Sequence, residues 1–181
     1  MFEQIIKNYK SKKWSKKFAV IGVFAIVLNM LIISNFGWNP VNIFKIAKAD
    51  IYNGQRIVDK VNAERNKIGL KSLVINPELT ISAERKAQDM SDNNYFLHVS
   101  PSGKKWSEFI INSGYNYSVA GENLAKDYEN IDDLVSAWML SPAHRDNILN
   151  LQVFDTGIAI KSGTLNKKDT IFVVQTFGQK L

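Results

Sequence analysis

The chain has 181 residues, of which 45% are hydrophobic and 11% aromatic, so it is long enough and apolar enough to bury a core of its own. Its formal net charge is +6, and it contains no cysteine. Intrinsic disorder is therefore not the default expectation for this composition. The absence of cysteine excludes a disulfide scaffold and a thiolate metal site.

The positive charge is concentrated at the N-terminus. Residues 1–17 hold six lysines against Glu3, a net charge of +5, whereas the rest of the chain holds 17 basic and 16 acidic residues. A nucleic-acid-binding domain would carry its basic residues on the folded surface. We therefore predict no nucleic-acid partner and assign residues 1–17 to a basic tail.

An uncharged, strongly apolar segment follows this tail at residues 18–38. A helix of this length spans a hydrocarbon core of roughly 30 Å. A cleaved signal peptide is the alternative, but its apolar region is usually shorter, about 7 to 15 residues. Because the more basic flank stays in the cytoplasm, we predict a single-pass signal anchor with a cytoplasmic tail, a linker at residues 39–53 and an extracytoplasmic domain at residues 54–181.

The first half of this domain has patterns typical of helices. Apolar residues near a helical period predict a helix at residues 54–68 that ends at Gly69. Asn76, followed by a proline and a glutamate, predicts the start of a second helix. The apolar face of that helix consists of Leu79, Ala83, Ala87 and Met90.

Three shorter helical segments are predicted further along the chain. One lies at about residues 105–113, a second begins after Asn130, and a short third one, which carries His144, begins at Ser141 and Pro142. Trp106 and Trp138 lie on apolar helical stripes and are predicted to be core residues.

The C-terminal part changes to patterns typical of strands. Residues 153–160 and 170–177 are rich in β-branched and aromatic side chains, and the residues between them predict a turn or loop, so the two segments predict a hairpin. A shorter strand is predicted at residues 117–121. Helices followed by strands predict an α+β domain with a mostly antiparallel sheet.

Three residues stand out as candidate site residues, namely His98, Glu122 and His144. The two histidines are the only ones in the chain. Two imidazoles and one carboxylate can hold a zinc ion with an open fourth position, as in several hydrolytic sites. The histidines lie far apart in the sequence, however, and spacing alone does not distinguish a metal site from two unrelated histidines.

The order of the motifs resembles a known family. The stretches that carry the resemblance are VNAERNKIGLKSLVINPELTISAERKAQDMSDNNYFLHVSPSG, GYNYSVAGENLA, LVSAWMLSPAHRDNILN and FDTGIAI, which together cover residues of about 54–178. They are similar to successive signatures of the CAP superfamily (cysteine-rich secretory proteins, antigen 5 and pathogenesis-related 1 proteins) in its cysteine-free bacterial form. The resemblance implies an α-β-α sandwich with a central cleft in which His98, Glu122 and His144 meet. It also implies a divalent metal, such as zinc, held chiefly by the two histidines with Glu122 beside them.

One position departs from the family's pattern. Many eukaryotic members have a glutamate three residues after the helix tryptophan, whereas here Ser141 follows Trp138 at that distance, and Ala143 stands where bacterial relatives usually have glycine. The missing carboxylate weakens a hydrolase interpretation, because activation of water needs an acceptor within hydrogen-bond reach. Three other acids could substitute if the fold brings one of them close: Glu108, Asp146 and Asp155.

Polar neighbours of the three candidates are interpreted as structural. Asn123 and Asn147 are expected to satisfy nearby backbone groups. Ser100 and Ser102 stand next to His98 but lack a GxSxG context, so they are assigned to turn chemistry rather than to nucleophilic catalysis.

The sequence leaves three functions open. The first is a binding or interaction module at the cell envelope, whose cleft takes a lipid, cell-wall or protein ligand, with or without a divalent cation. The second is a metal-assisted hydrolase acting on peptide or cell-wall material, with His98 and His144 as ligands and Glu122 as ligand or base. The third is a hydrogen-bonded network of the three residues that only organises the loops. The absence of this second carboxylate favours the binding module.

Overall fold

The computed structural model describes residues 53–181. The predicted tail of residues 1–17, the predicted anchor of residues 18–38 and all but the last residue of the predicted linker lie outside the described residues. Within the described part, we find no helix with the length and apolar character needed to cross a membrane. The clusters of buried apolar side chains lie between Ile57 and Phe177, so this part of the chain has a core of its own.

The elements of the described part follow the predicted order, helices first and long strands last. They are α1 (Gly54–Lys67), β1 (Val74–Ile75), α2 (Pro77–Asp92), α3 (Trp106–Asn112), β2 (Tyr117–Lys126), α4 (Ile131–Leu140), α5 (Pro142–Ile148), β3 (Asp155–Leu165) and β4 (Lys168–Lys180).

Asparagine caps set two of the helix starts, as the sequence predicts. The side chain of Asn76 accepts hydrogen bonds from the backbone N–H groups of Glu78 and Leu79, and Asn130 accepts one from the N–H of Asp133. Each cap satisfies donors that the first turn of a helix leaves without a partner. Gly69 just after α1 adopts a φ of 78°, which explains why the helix ends there.

The four strands form one mixed sheet in the order β1-β3-β4-β2. The pairings of β3 with β4 and of β4 with β2 are antiparallel, whereas β1 pairs with β3 in parallel. The parallel pairing was not predicted, because β1 has only two residues and shows no recognisable period. β4 thus lies between the two other long strands. β2 and β3 each have one edge that no long strand covers.

The predicted loop between the last two strands is much shorter in the structure. Strand pairing continues to Leu165 opposite Lys168, so the connection is a two-residue turn made by Asn166 and Lys167. Both turn residues have positive φ, 52° and 64°, which suits the twist of a tight hairpin. The side chain of Asn94 accepts a hydrogen bond from the N–H of Asn166 at 2.6 Å and holds the turn.

Helices cover both faces of the sheet, which gives the α-β-α arrangement. One face packs against α1, α4 and α5, and the other packs against α2 and α3. The side chains of β4 alternate accordingly, with Val173 and Phe177 facing the first set of helices and Phe172 and Val174 facing α2. Trp138 is buried in the first layer as predicted, while Trp106 is only partly buried beside the small cluster at α3.

Candidate functional site

The three candidate residues come from three different elements. His98 lies in the loop after α2, Glu122 lies within β2, and His144 lies in α5. The His98 loop is shaped by a turn in which the N–H of Gly103 donates to the carbonyl of Ser100, and the Ser100 hydroxyl accepts from the N–H of Lys104. The two serines next to His98 are thus part of turn structure, as expected.

His98 and Glu122 form the closest polar contact of the site. Nδ1 of His98 lies 2.7 Å from Oε1 of Glu122, and the side chain of His98 is 48% exposed whereas that of Glu122 is 1% exposed. An ionised Glu122 can only accept, so Nδ1 of His98 then carries the hydrogen. When the ring is neutral, its lone pair is consequently on Nε2, the nitrogen that Glu122 does not contact.

The carboxyl group of Glu122 is buried. Burial raises the pKa of Glu122, while the hydrogen bond from His98 and the positive charge of Lys86 oppose that rise. Oε2 of Glu122 is buried and has no hydrogen-bond partner within residues 53–181. A buried, unpaired oxygen destabilises the ionised form of the carboxyl group, which agrees with the raised pKa of Glu122.

Lys86 lies beneath the site and fixes the backbone of the His98 loop. Its side chain is fully buried in α2, and its ammonium group donates to the carbonyls of Leu97 at 2.8 Å and His98 at 3.1 Å and to the hydroxyl of Tyr95 at 3.0 Å. Burial lowers the pKa of Lys86, and the nearby carboxylates of Glu122 and Asp89 oppose the change.

His144 lies in α5, and its backbone carbonyl contacts Asn123 of β2. Burial lowers the pKa of His144, and the charge of a protonated His98 lowers it further, so the two imidazoles lie within electrostatic range of each other. Both influences favour the neutral form of His144, which is the form that binds a metal ion or accepts a proton.

Two asparagines attach α5 to β2 and thereby position His144. Nδ2 of Asn123 donates to the carbonyl of His144 at 3.1 Å, and Nδ2 of Asn147 donates to the carbonyl of Glu122 at 3.1 Å and to Oδ1 of Asn123 at 2.9 Å. Asn123 therefore satisfies a backbone group as expected. Asn147 does so across two elements rather than locally. Gly121 allows the close approach, because a Cβ atom there would lie 2.6 Å from Oδ1 of Asn147.

A cavity of about 360 Å³ opens next to His144 at the edge of β2. Ser141 lines it, so the position of the second carboxylate of many eukaryotic members belongs to this cavity. Its walls combine aromatic and apolar side chains with two basic ones, and its remaining lining residues are Phe96, Leu124, Ala125, Lys126, Tyr128, Ala137, Trp138 and His144.

Two of the three acids that could replace the missing carboxylate are engaged elsewhere. Glu108 accepts from the N–H of Lys105 at the start of α3, and Asp155 accepts from the hydroxyl of Tyr115. Asp146 is exposed on α5, and no contact between it and the three site residues is found within residues 53–181. The described residues also contain no group of three or more histidine and acidic side chains arranged to hold a metal ion.

Sequence reasoning missed Lys86 and the long-range role of Asn147. A signal for Lys86 was present, because it falls on the same helical stripe as Ala83 and Met90, where a lysine has to be buried and therefore needs partners. No comparable signal marks Asn147, since its partners lie in β2.

A family model described as "CAP: Cysteine-rich secretory protein family" matches residues 58–177. The chain is 42% identical over 112 residues to the uncharacterized protein YkwD of Bacillus subtilis (strain 168), covering 61% of this chain and 44% of that relative. It is 29% identical over 116 residues to the uncharacterized membrane protein YlbC of the same organism, covering 64% of this chain and 34% of YlbC.

A solved structure shares the fold. The crystal structure of an extracellular protein containing a SCP domain from Bacillus anthracis str. Ames matches with a TM-score of 0.59 and 28% identity, over 78% of this chain and 44% of that one. The chain thus spans less than half the length of each of these three proteins.

Proposed function

The chain belongs to the CAP (cysteine-rich secretory protein) family, and from this membership and the geometry of the cleft we propose that it is a membrane-anchored, extracytoplasmic binding module. The anchor is the apolar segment of residues 18–38, and the module is the domain of residues 54–181. One relative is called a membrane protein and one similar structure comes from an extracellular protein. Both descriptions agree with the charge asymmetry around the apolar segment.

The observation that carries the binding function is the contact between His98 and Glu122. A carboxylate that is almost completely buried holds Nδ1 of a half-exposed imidazole at 2.7 Å. Such a partner fixes both the orientation and the tautomer of the ring, as it does for histidines that bind metal ions. Nε2 of His98 is then available to a ligand beside the neutral imidazole of His144.

We include a divalent cation, with zinc as the first candidate, in this proposal. The two imidazoles of His98 and His144 would hold it, and Glu122 would orient His98 through Oε1. When bound, the ion would supply a positive centre for an anionic or carbonyl group of the ligand.

Binding is favoured over hydrolysis because the site has one carboxylate. Glu122 is occupied by His98, Ser141 replaces the second carboxylate of many relatives, and Glu108 and Asp155 are engaged elsewhere. The apolar walls and the basic Lys126 of the adjoining cavity suit a ligand with an apolar body and a polar or anionic group, from a lipid, the cell wall or a protein.

Zinc binding is tested by thermal unfolding of a fragment of residues 53–181 after treatment with a chelator. A ligand that binds only the native state stabilises it by about 2.7 kcal/mol at 100 times its Kd, so zinc should raise the Tm of the fragment. His98→Ala and His144→Ala should each lose the shift. Asp146→Asn, an exposed neighbour on α5, is the matched control and should keep it. An equal shift in the double histidine variant would refute the metal site.

Membrane topology is tested with single cysteines, because the chain has none of its own. Lys167→Cys in the hairpin turn should react with a membrane-impermeant maleimide on intact cells. Lys7→Cys in the predicted tail should react only after lysis. The reverse pattern would overturn the proposed orientation, and its outcome is independent of the zinc experiment.

A further inference from the structure

The outer edge of β3 is a second place where a ligand could bind. β3 pairs with β4 along its whole length, from Asp155 opposite Gly178 to Leu165 opposite Lys168, without a break in register. β1 covers the other edge only at Asp155 and Thr156. Beyond Thr156, this edge has no partner strand within residues 53–181.

Hydrogen bonds at both ends of β3 show which residues point their backbone groups outward. At one end, the carbonyl of Thr156 accepts from the N–H of Asn76 at 2.8 Å. At the other end, the N–H of Thr164 donates to the Ser91 hydroxyl at 3.4 Å. The backbone N–H and C=O groups of successive residues in a strand point to opposite edges. Between Thr156 and Thr164, the residues whose backbone groups point to the open edge are therefore Ile158, Ile160 and Ser162.

The opposite edge of the same sheet is closed by side chains. On β2, the carbonyl of Leu124 accepts from the indole of Trp138 at 3.0 Å, and the carbonyl of Glu122 accepts from Asn147. Exposed strand edges are usually covered, shortened or interrupted, because they can pair with another chain. β3 contains no proline and no bulge at its edge, so its central residues retain the geometry for strand pairing.

A groove runs along this open edge, with a volume of about 780 Å³. Residues 158–162 form its floor, the first residue of α1 (Gly54) lies at one side, and α2 contributes Glu84, Arg85 and Gln88 at the other. Among the lining residues, Arg85 and Lys161 each carry a positive charge and Glu84 carries a negative charge. One of the positive groups, the guanidinium of Arg85, also donates to the carbonyl of Asn112 at 2.7 Å. The net charge of the lining is +1, which favours a segment with negative charge.

We propose that this groove binds an extended, acidic polypeptide segment of a partner protein, which adds to the sheet as a strand along Ile158, Ile160 and Ser162. A row of alternating N–H and C=O groups is complementary to another extended backbone, and pockets beside the row select the side chains. This site goes beyond the proposed function, because it lies on β3, contains neither His98 nor His144, and shares no lining residue with the cavity beside His144.

The test uses the full chain in detergent micelles and a displayed library of random ten-residue peptides. The tightest selected peptide is synthesised unmodified and in two versions, each with N-methyl groups on every second residue. In an added strand only alternate N–H groups face the neighbour, so one version should bind about tenfold more weakly or worse. The other version should bind like the unmodified peptide.

Variants of the protein provide the complementary evidence. Ile160→Pro removes one outward N–H, which β4 does not use, and should weaken binding by about tenfold. Ser162→Ala keeps the backbone groups and should bind normally. His98→Ala should also bind normally, so failure of the cleft proposal would leave this result intact.

Four outcomes would overturn the proposal. They are the absence of any selected peptide, equal binding of both N-methylated versions, dimerisation of the chain through this edge in sedimentation, and binding seen only with the fragment of residues 53–181. The last two would show that a second copy or the chain's own N-terminal residues take the edge.

Discussion

The ammonium group of Lys86 lies 3.1 Å from the main-chain oxygen of His98, although Lys86 is completely buried in α2. A lysine is almost never buried without partners, and here the partners are the carbonyls of the loop that carries the site histidine. The same ammonium lies near Glu122, the carboxylate that holds the imidazole of His98. Lys86 therefore supports both the backbone and the side-chain orientation of His98.

Replacement of this lysine should destabilise the domain strongly. Lys86→Met keeps the apolar stem but leaves two carbonyls and the Tyr95 hydroxyl without their donor, and it removes the positive charge of Lys86 near Glu122. We expect a loss of about 3 kcal/mol in the free energy of unfolding, measured by urea denaturation. Lys105→Met, at an exposed lysine, should change the value by less than about 0.5 kcal/mol. A loss below 1 kcal/mol for Lys86→Met would contradict this role.

Loss of the amide at position 147 should weaken the attachment of α5 to β2. Asn147→Ala leaves the carbonyl of Glu122 and Oδ1 of Asn123 without a donor, at a cost of about 1–3 kcal/mol. The imidazole resonances of His144 should shift in NMR spectra, and they are easy to follow because the chain has two histidines. Asp146→Ala on the same helix is the control and should leave them in place. Unchanged His144 resonances in Asn147→Ala would show that the amide does not position the helix.

The close packing of α2 on β3 depends on a glycine. A Cβ atom at Gly157 would lie 2.1 Å from the carbonyl carbon of Leu79, which is backbone and cannot move aside. We expect Gly157→Ala to cost more than about 4 kcal/mol or to prevent folding. At Gly54 the nearest atom is Cγ2 of Ile158 at 2.9 Å, a methyl group on a buried side chain that is stiff at χ1 and has to shift to admit the new Cβ atom. Alanine favours the helix start, so Gly54→Ala should cost about 1–3 kcal/mol, which is less than Gly157→Ala. Circular dichroism with urea denaturation compares the two.

The parts of the fold that local chemistry determines were predictable from the sequence. The caps at Asn76 and Asn130 involve side chains and backbone groups within three residues of each other, so their signal is contained in a short window. The hairpin was predicted with too long a loop, because Asn166 and Lys167 adopt positive φ without the glycine that usually announces such a turn.

Long-range contacts were not predictable in this way. The meeting of His98 with Glu122 followed only from the resemblance to a family, since nothing in the spacing brings them together. Arg65 is a second residue whose contacts could not be predicted from the sequence. Its side chain is buried, with 1% exposure, and it donates to the carbonyls of Lys71, Ile148, Asn150 and Val153. A charged residue in a helix is normally assigned to the surface, and its partners become visible only in the folded chain.

The lowered pKa of His144 should be visible in the pH dependence of the free energy of unfolding. Burial, followed by the charge of His98, lowers the pKa of His144 in the folded domain, whereas in the unfolded chain a histidine titrates at about 6.5. The unfolded state therefore binds the proton first, so the stabilisation is complete above about pH 6.5 and is lost as the pH falls through the lower, folded pKa. His144→Asn cannot take up this proton.

The parent fragment should accordingly lose more stability than His144→Asn between pH 7 and pH 5, in urea denaturation with chelator present. The raised pKa of Glu122 acts in the opposite direction, because a folded state that binds more protons gains stability on acidification. That contribution is present in both proteins and largely cancels in the comparison. Repeating both titrations in the Glu122→Gln background removes it altogether, and the difference between the two proteins should persist there. Parallel pH profiles in both backgrounds would mean that His144 titrates as freely in the folded domain as in the unfolded chain.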